Sequence, residues 1–569
     1  MTKSCSPLKN IVPRGGLNSI IEKSLQEHSK LSTRQENDLN VDIDKLFTDN
    51  KQITTLQKTD WQILYGRRGT GKTTLLFKLA DVIDSKPEKF ASLTLSLQKC
   101  TIDLPSKIPD ETKGLVQFEK FIMEIGFLLY RIYLNRTKAK NKNRRITKLL
   151  LDKLTPGNRI IQDTILKIAT FAHKGTTYGA LIDNRRKKIV ERVINQKKSN
   201  FGIGSQVDVS LLKDASKFSL YAEAAIKKGL TITEESEYQE TAVIDFTELR
   251  HDFIELLDEL HIETLFILID EWSALDRHLS PRCQVYFAEY LKRAFFGTPR
   301  ICLKISAIEH ESKFEDFFQG NRIGLEVGAD IFVQVNLDQI YNNRVINLRE
   351  FFEELIYRRL RYCEPTMDQF KSRENNNRPL EAFWDLLFHQ KSGFEELINA
   401  SGGIPRDFIM RFDEVVTAYD GSIEKKWQEG RILDVIIKNS ITRTDEHVRK
   451  DPFLSCVFGK IEEVVKSNGD NVFLIPKTMD DELSKAIESL FASRLIHKFD
   501  LVIVPAHVRS KYDAYFLDYG TFVDITRIKR KTKQVKNTER PVQEHFPNEQ
   551  LEKFIVNVQS CQTLRGENH

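Results

Sequence analysis

One eight-residue stretch, Gly66-Arg67-Arg68-Gly69-Thr70-Gly71-Lys72-Thr73, has the composition and spacing to hold a polyphosphate. Its glycines let successive backbone N–H groups turn inward around anionic oxygens, and a helix start just beyond adds the positive end of a dipole. Lys72 is placed to reach the β- and γ-phosphates of ATP, and the Thr73 hydroxyl to hold Mg²⁺. Thr74 opens a helical run over 74–79, and 62–65 reads as a short buried strand. Strand, glycine loop and helix, in that order, are the arrangement this chemistry needs.

A second stretch supplies the acids. Leu265-Phe266-Ile267-Leu268-Ile269-Asp270-Glu271 is an unbroken apolar run ending in two carboxylates. Such a run predicts a parallel strand buried on both faces, its acids emerging at the C-terminal edge where ligands bind in open α/β sheets. Asp270 is the expected Mg²⁺ partner, through water, and Glu271 the base that orients and deprotonates the attacking water. Three further residues are candidates for sensing or neutralising phosphate charge. Ser306 closes the apolar strand at 301–305. Arg322, in a glycine-bearing loop, is placed to reach a neighbouring subunit's nucleotide as an arginine finger. Arg406 follows Pro405 in the first turn of a helix that starts after Ser401-Gly402-Gly403-Ile404.

Other elements must position these groups. Residues 90–97 predict a second strand, 118–134 and 281–296 helices, 330–335 a further strand and 348–360 a helix. Residues 1–50 form a polar N-terminal segment with an amphipathic helix at 18–31. Residues 100–240 read as an insertion, because the acidic strand is displaced to 270. It carries two basic clusters, Arg136 to Lys148 and Arg185 to Lys198, then exposed strands or a hairpin at 201–233. A polar linker at 373–379 precedes the end of a helical lid at 346–420. Residues 421–525 then predict a separate domain. Helices at 453–465 and 480–491, with strands at 495–497 and 515–519, suggest a winged helix. Residues 526–569 form a tail whose Arg527, Lys529, Arg530, Lys531, Lys533 and Lys536 suit phosphate backbones without sequence preference. His497 and His507 stand without partners and read as structural.

Size and composition bound the rest. With 569 residues the chain has room for several domains. Its 40% hydrophobic and 29% charged residues are ordinary for a soluble globular protein. A formal net charge of +5 does not by itself demand nucleic acid. There are 7 cysteines and no C-x-x-C pair; the odd count argues against a disulfide framework and fits a reducing cytoplasm. No apolar run reaches the ~18 residues of a membrane span, and the N-terminus lacks a signal-peptide core.

Lys72, Asp270-Glu271, Ser306 and Gly403-Ile404-Pro405-Arg406, in this order, resemble the AAA+ ATPases, most of all the origin-recognition-type branch found in prokaryotes. The matching stretches are Gly66 to Thr73, Leu268-Ile269-Asp270-Glu271-Trp272-Ser273 and Lys304-Ile305-Ser306-Ala307-Ile308-Glu309. The resemblance implies an α/β P-loop NTPase core at 51–345 with a parallel sheet, a helical lid and a C-terminal winged-helix-like domain. It implies ATP and Mg²⁺ as ligands, a first sensor at Ser306 and a second at Arg406. The Gly403-x-Pro405 text is also similar to the STAND switch ATPases, whose proline contacts the adenine. The lid therefore either supports continuous turnover or clamps nucleotide in an off state. Three functions follow: an ATP-hydrolysing switch or remodeller acting on DNA or a partner protein, in defence against mobile DNA; an initiator-like DNA-binding protein with structural nucleotide; or an ATP-regulated scaffold docking a partner on the basic insertion. A homo-oligomer without membrane attachment is expected.

Overall fold

This computed structural model has the strands β1 (Gln62–Tyr65), β2 (Phe90–Ser96), β3 (Thr264–Asp270), β4 (Ile301–Ala307), β5 (Glu315–Phe318), β6 (Asn321–Gly324) and β7 (Val333–Asn336) before residue 337. Five of them form one sheet in the order β2-β3-β4-β1-β7, while β5 and β6 pair as a separate antiparallel hairpin. β3 runs parallel to both neighbours, with Ser96 opposite Asp270 and Ile269 opposite Ile305. β3 and β4 are buried at every position, which explains why both are largely apolar; β2, at the edge, alternates. The expected strand at 330–335 starts only at Val333, because Asp330 turns back and its carboxylate accepts from the Glu326 N–H at 2.8 Å.

The structure describes residues 14–28, 43–101, 109–141, 161, 164–165, 168, 246–275, 281–318, 320–331, 333–342, 346–367, 381–390, 392–423, 426–503, 511–530, 548–558 and 561. The basic run beyond residue 141, the basic cluster at 185–198, the strands or hairpin at 201–233, the linker at 373–379, His507 and the basic tail beyond residue 530 lie outside them. The described residues form two compact units. One draws on Thr54–Leu64 and Leu79–Val335; the other on Met1–Ile53, Tyr65–Lys78 and Asn336–His569.

Among the described residues, the α-helices of six residues or more are, in chain order, α1 (Arg14–His28), α2 (Lys72–Asp84), α3 (Asp110–Asn141), α4 (Phe246–Glu259) and α5 (Pro281–Phe295). They continue with α6 (Leu337–Asn342), α7 (Leu348–Cys363), α8 (Glu381–Leu387), α9 (Ser392–Ser401), α10 (Pro405–Ala418), α11 (Glu429–His447), α12 (Pro452–Asn468), α13 (Asp481–Ala492) and α14 (Tyr519–Arg530).

In the first unit, α3 and α5 interlock through Phe118, Phe121 and Phe287, with ring centroids 5.5–6.2 Å apart. Arg136, read from the sequence as part of a basic surface, instead ties the end of α3 to the core. Its guanidinium donates to the carbonyls of Leu260 at 2.6 Å and Pro87 at 2.5 Å. Lys304, fully buried in β4, donates to Lys58 O at 2.6 Å, Asp60 O at 2.7 Å and Gln62 Oε1 at 2.5 Å. Burial draws its pKa down to about 7, but three acceptors take its three N–H bonds, so the ammonium pins the chain leading into β1.

In the second unit, α7 to α10 pack around stacked aromatics, Phe352 on Phe408 at 4.3 Å and Phe412 near Trp427 at 5.4 Å. α1 joins them: Ser24 Oγ donates to Leu360 O at 2.8 Å. His28 lies between Asp413, 2.6 Å from Nδ1, and Arg359, which donates to Nε2 at 3.1 Å. Beyond them, β8 (Val472–Pro476), β9 (Ile496–Ile503) and β10 (Tyr512–Leu517) form an antiparallel sheet ordered β8-β10-β9. The strand expected at 515–519 stops at Leu517. Asp518 accepts from the Thr521 N–H at 3.3 Å and so caps α14. α12 runs from its cap at Asp451 to left-handed Gly469.

A C-terminal strap follows. Val556 N–H donates to Leu474 O at 3.0 Å, Leu551 and Phe554 cover Val472, Leu474 and Tyr512, and Cys561 is disulfide-bonded to Cys456 on α12. This bond corrects the expectation drawn from the cysteine count. An odd number leaves one thiol over but does not prevent a pair, and folding brings together two cysteines 105 positions apart. Cys100, Cys283, Cys302 and Cys363 are free thiols. No helix among the described residues is long and apolar enough to cross a membrane.

Candidate functional site

The phosphate loop begins where β1 ends, and α2 starts at Lys72. Gly69 and Gly71 have φ of +94° and +92°, conformations that turn their N–H groups in a way L side chains rarely allow. Gly69 is required twice over. A Cβ there would lie 2.7 Å from the Cβ of Arg406, because the first turn of α10 is pressed against the loop. The Arg406 N–H donates to Gly69 O at 3.1 Å, and Pro405 sits at the first position of the helix. Thr70 Oγ1 donates to Arg67 O at 2.8 Å, and buried Tyr341 donates to Thr70 O at 3.3 Å. The Lys72 ammonium donates to Gly66 O at 2.5 Å and Arg67 O at 3.0 Å. Arg67 itself is buried; its backbone N–H and Nε–H both donate to Asp338, at 2.7 Å and 2.9 Å. Gly66 to Thr74 thus stand as a glycine-turned loop on a helix start, with Pro405 and Arg406 beside them. Turned glycines, an ammonium and a helix N-terminus fit a phosphate chain.

The acidic strand end has its own supports. Asp270 Oδ1 accepts from Ser306 Oγ at 2.6 Å and from the Glu271 N–H at 3.0 Å, so β4 holds the carboxylate that ends β3. Glu271 has φ of +58°, a left-handed conformation costly for a residue with a side chain. That strain re-aims the chain where the strand stops. Ser96, at the end of β2, donates to Glu271 Oε2 at 2.8 Å. Gln98, with its amide nitrogen facing Glu271, donates to both carboxylate oxygens at 2.8 and 3.0 Å. The donor set, a buried carboxylate and a neighbouring one already hydrogen-bonded, fits a hydrated divalent cation and a water-activating base.

Arg322 lies on β6, with Nε 3.5 Å from Glu315, an ion pair to Glu326 and its guanidinium 5.0 Å from the Phe317 ring centroid. It is therefore held within its own hairpin. On α4, ligand atoms of His251, Asp252 and Glu255 lie within 4.8 Å of one another, one helical turn with nothing else to mark it as a site.

No family model matches this chain, and no curated protein matches it. Among solved structures it is similar to a Walker-type ATPase of Pyrococcus abyssi, at 13% identity and a TM-score of 0.33, covering 87% of this chain and 98% of that one. It is also similar to the ORC2 protein of Aeropyrum pernix in ADPNP–ADP complexes (10%, TM-score 0.30, 83% and 89% covered). A third is Drosophila ORC bound to DNA (10%, TM-score 0.29, 93% and 96% covered). Scores this low carry no functional weight, which rests instead on the residues above.

Several positions around the loop and the acids carry no signature in the sequence. Ser96 ends an ordinary alternating strand, Gln98 lies in the short helical turn Leu97–Cys100 just after it, and Asp338, Arg494 and His497 lie hundreds of positions from the loop they touch. The register of β2 on β3 is the one signal that places Ser96 beside the acids.

Proposed function

We propose that this chain binds and hydrolyses ATP as a switch of the AAA+ type. The observation that carries this is the phosphate loop: Gly69 and Gly71 in left-handed turns, Lys72 opening α2, and Arg406 of α10 laid directly on Gly69. In this reading Lys72 exchanges the carbonyls of Gly66 and Arg67 for phosphate oxygens, and Arg406 adds charge from the lid helix. Asp270 and Thr73 are the residues that would hold Mg²⁺, which would supply neutralisation of phosphate charge. Glu271 takes the proton of the attacking water once its carboxylate is released by Ser96 and Gln98. Ser306 positions Asp270, and is a γ-phosphate sensor only through that contact. Arg322 serves a neighbouring subunit in a homo-oligomer only after its pairs with Glu315 and Glu326 open.

The finer reading is a cytoplasmic switch acting on DNA, in defence against mobile elements, with the three-stranded C-terminal sheet and the basic sequence after α14 as the DNA-facing part. The experiment is ATP turnover by the purified chain alone and with duplex DNA, single strands or RNA. Lys72→Ala should bind no ATP. Glu271→Gln should bind it and turn over ~10²–10⁴-fold more slowly. Turnover by Lys72→Ala at the wild-type rate would remove the loop from the reading. Stimulation by none of the nucleic acids would favour the partner-protein scaffold.

A further inference from the structure

Arg67 is the second residue of the phosphate loop, yet its side chain does not face a ligand. Besides the two donations to Asp338, one Nη donates to Nδ1 of His497 on β9, and the guanidinium lies over the Phe491 ring of α13 at 5.1 Å. The next loop residue is held from the same side: Arg494 donates to Arg68 O at 3.2 Å and pairs with Asp407 of α10. His497 is fitted closely to this role. Its ring stacks on Phe516 at 4.6 Å, and a Cβ on Gly402 would come within 2.8 Å of it, so the left-handed glycine at the end of α9 makes its seat. Burial, with Arg67, Arg443 and Arg494 around it, keeps the imidazole neutral and able to accept. Two members of the cluster are not fully satisfied: the other Nη of Arg67 and the Nε of Arg443 are buried without a hydrogen-bond partner. An unpaired buried cationic N–H costs free energy, so this arrangement is less stable than a fully paired one.

We infer that Arg67 is a positioning residue that latches the phosphate loop to β9 and α13, so that phosphate binding and the seating of the C-terminal sheet oppose each other. The latch and the Lys72 contacts meet in one residue, Arg67. Arg67 O and Gly66 O hold the ammonium in the latched loop, and the Arg67 N–H is given to Asp338. A phosphate that draws Lys72 off those carbonyls reorients the peptide bearing Arg67 and pulls its guanidinium from His497. By linkage the coupling is reciprocal: whatever loosens the latch tightens ATP binding, and ATP loosens the latch.

The inference rests on the loop being an ATP site, and the test separates the two. ATP affinity is measured with a fluorescent ATP analogue for the full chain, its Lys72→Ala variant, Arg67→Ala, His497→Ala, the double variant and His497→Asn. Asparagine restores an acceptor at the Nδ1 position, guarding against a mere packing defect. Hydrogen exchange over 491–497 is followed with and without ATP. The latch predicts that His497→Ala and Arg67→Ala each bind ATP about 5- to 10-fold more tightly, a coupling of ordinary allosteric size. It predicts that the double variant gains no more than either single one, that His497→Asn stays near wild type, and that ATP speeds exchange at 491–497 in the wild type alone. Unchanged affinities, additive effects, or exchange indifferent to ATP would overturn the latch while leaving the ATP site standing. A folded wild type that binds no more analogue than Lys72→Ala would remove both.

Discussion

At the scale of single residues, the candidate chemistry depends on which atoms hold the functional groups ready. Glu271 is fastened by Ser96 and Gln98 before any reaction begins. Ser96→Ala with Gln98→Ala should therefore raise ATP turnover several-fold while leaving nucleotide affinity unchanged, as measured by steady-state phosphate release and by analogue binding. A fall in turnover would make these residues orienters of the base instead of restraints. Two buried histidines set a pH dependence. Burial lowers the pKa of both His28 and His497, the latter well below 6.5. As pH falls through about 6.5 the unfolded chain takes up protons that the folded chain refuses, so stability drops on the acid side. Around His497 stand Arg67, Arg443 and Arg494, with Asp338, Asp407 and Asp518 paired to those arginines, so protonation would add a fourth cation to the cluster. Denaturant midpoints should fall between pH 7.5 and pH 5.5 in the wild type and less in His497→Asn. Lys304→Met should leave three acceptors unmet and destabilise by ~3 kcal/mol in the same assay.

At the scale of elements, the sequence was most readable where burial is uniform or periodic. β3 has an apolar run from Leu265 to Ile269, and β4 is largely apolar apart from Lys304 and Ser306; α5 and α7 follow their apolar spacing, and α10 starts at its proline. The phosphate loop and both acids were legible because local spacing alone defines them. The hairpin of β5 and β6 was read as a loop, since Phe317 and Phe318 are exposed and leave no alternation to see. β8 was missed because it is five residues long and meets its partners only in the folded sheet. The strap at 548–558 and its disulfide depend on distant contacts, which no local pattern encodes. The strap gives an element-level prediction. Cys456→Ser should lower stability by ~2–4 kcal/mol under non-reducing conditions. It should expose 548–558 to limited proteolysis and become indistinguishable from wild type once a thiol reductant is present. Equal stability without reductant would mean that the pair is not formed in solution.

At the scale of the whole molecule, the chain passes between its two units at 53/54, 64/65, 78/79 and 335/336. The phosphate loop belongs with residues beyond 336, not with the strand that precedes it in sequence. A fragment ending at Val335 should accordingly keep the Asp270–Ser306 pairing but bind no ATP analogue, even if it contains every residue from Gly66 to Thr73. Retained binding would show that the loop takes its working shape without Asp338, Arg406 and His497. The same arrangement sets a timetable for biosynthesis. Arg67 and His497 are 430 positions apart, and at ~5–20 residues per second a ribosome needs roughly 20 to 90 seconds to deliver the second after the first. Throughout that interval the nascent nucleotide loop lacks its clasp, and a half-made chain in a cell full of ATP is open to being engaged, or misfolded, before its own C-terminal half arrives to restrain it.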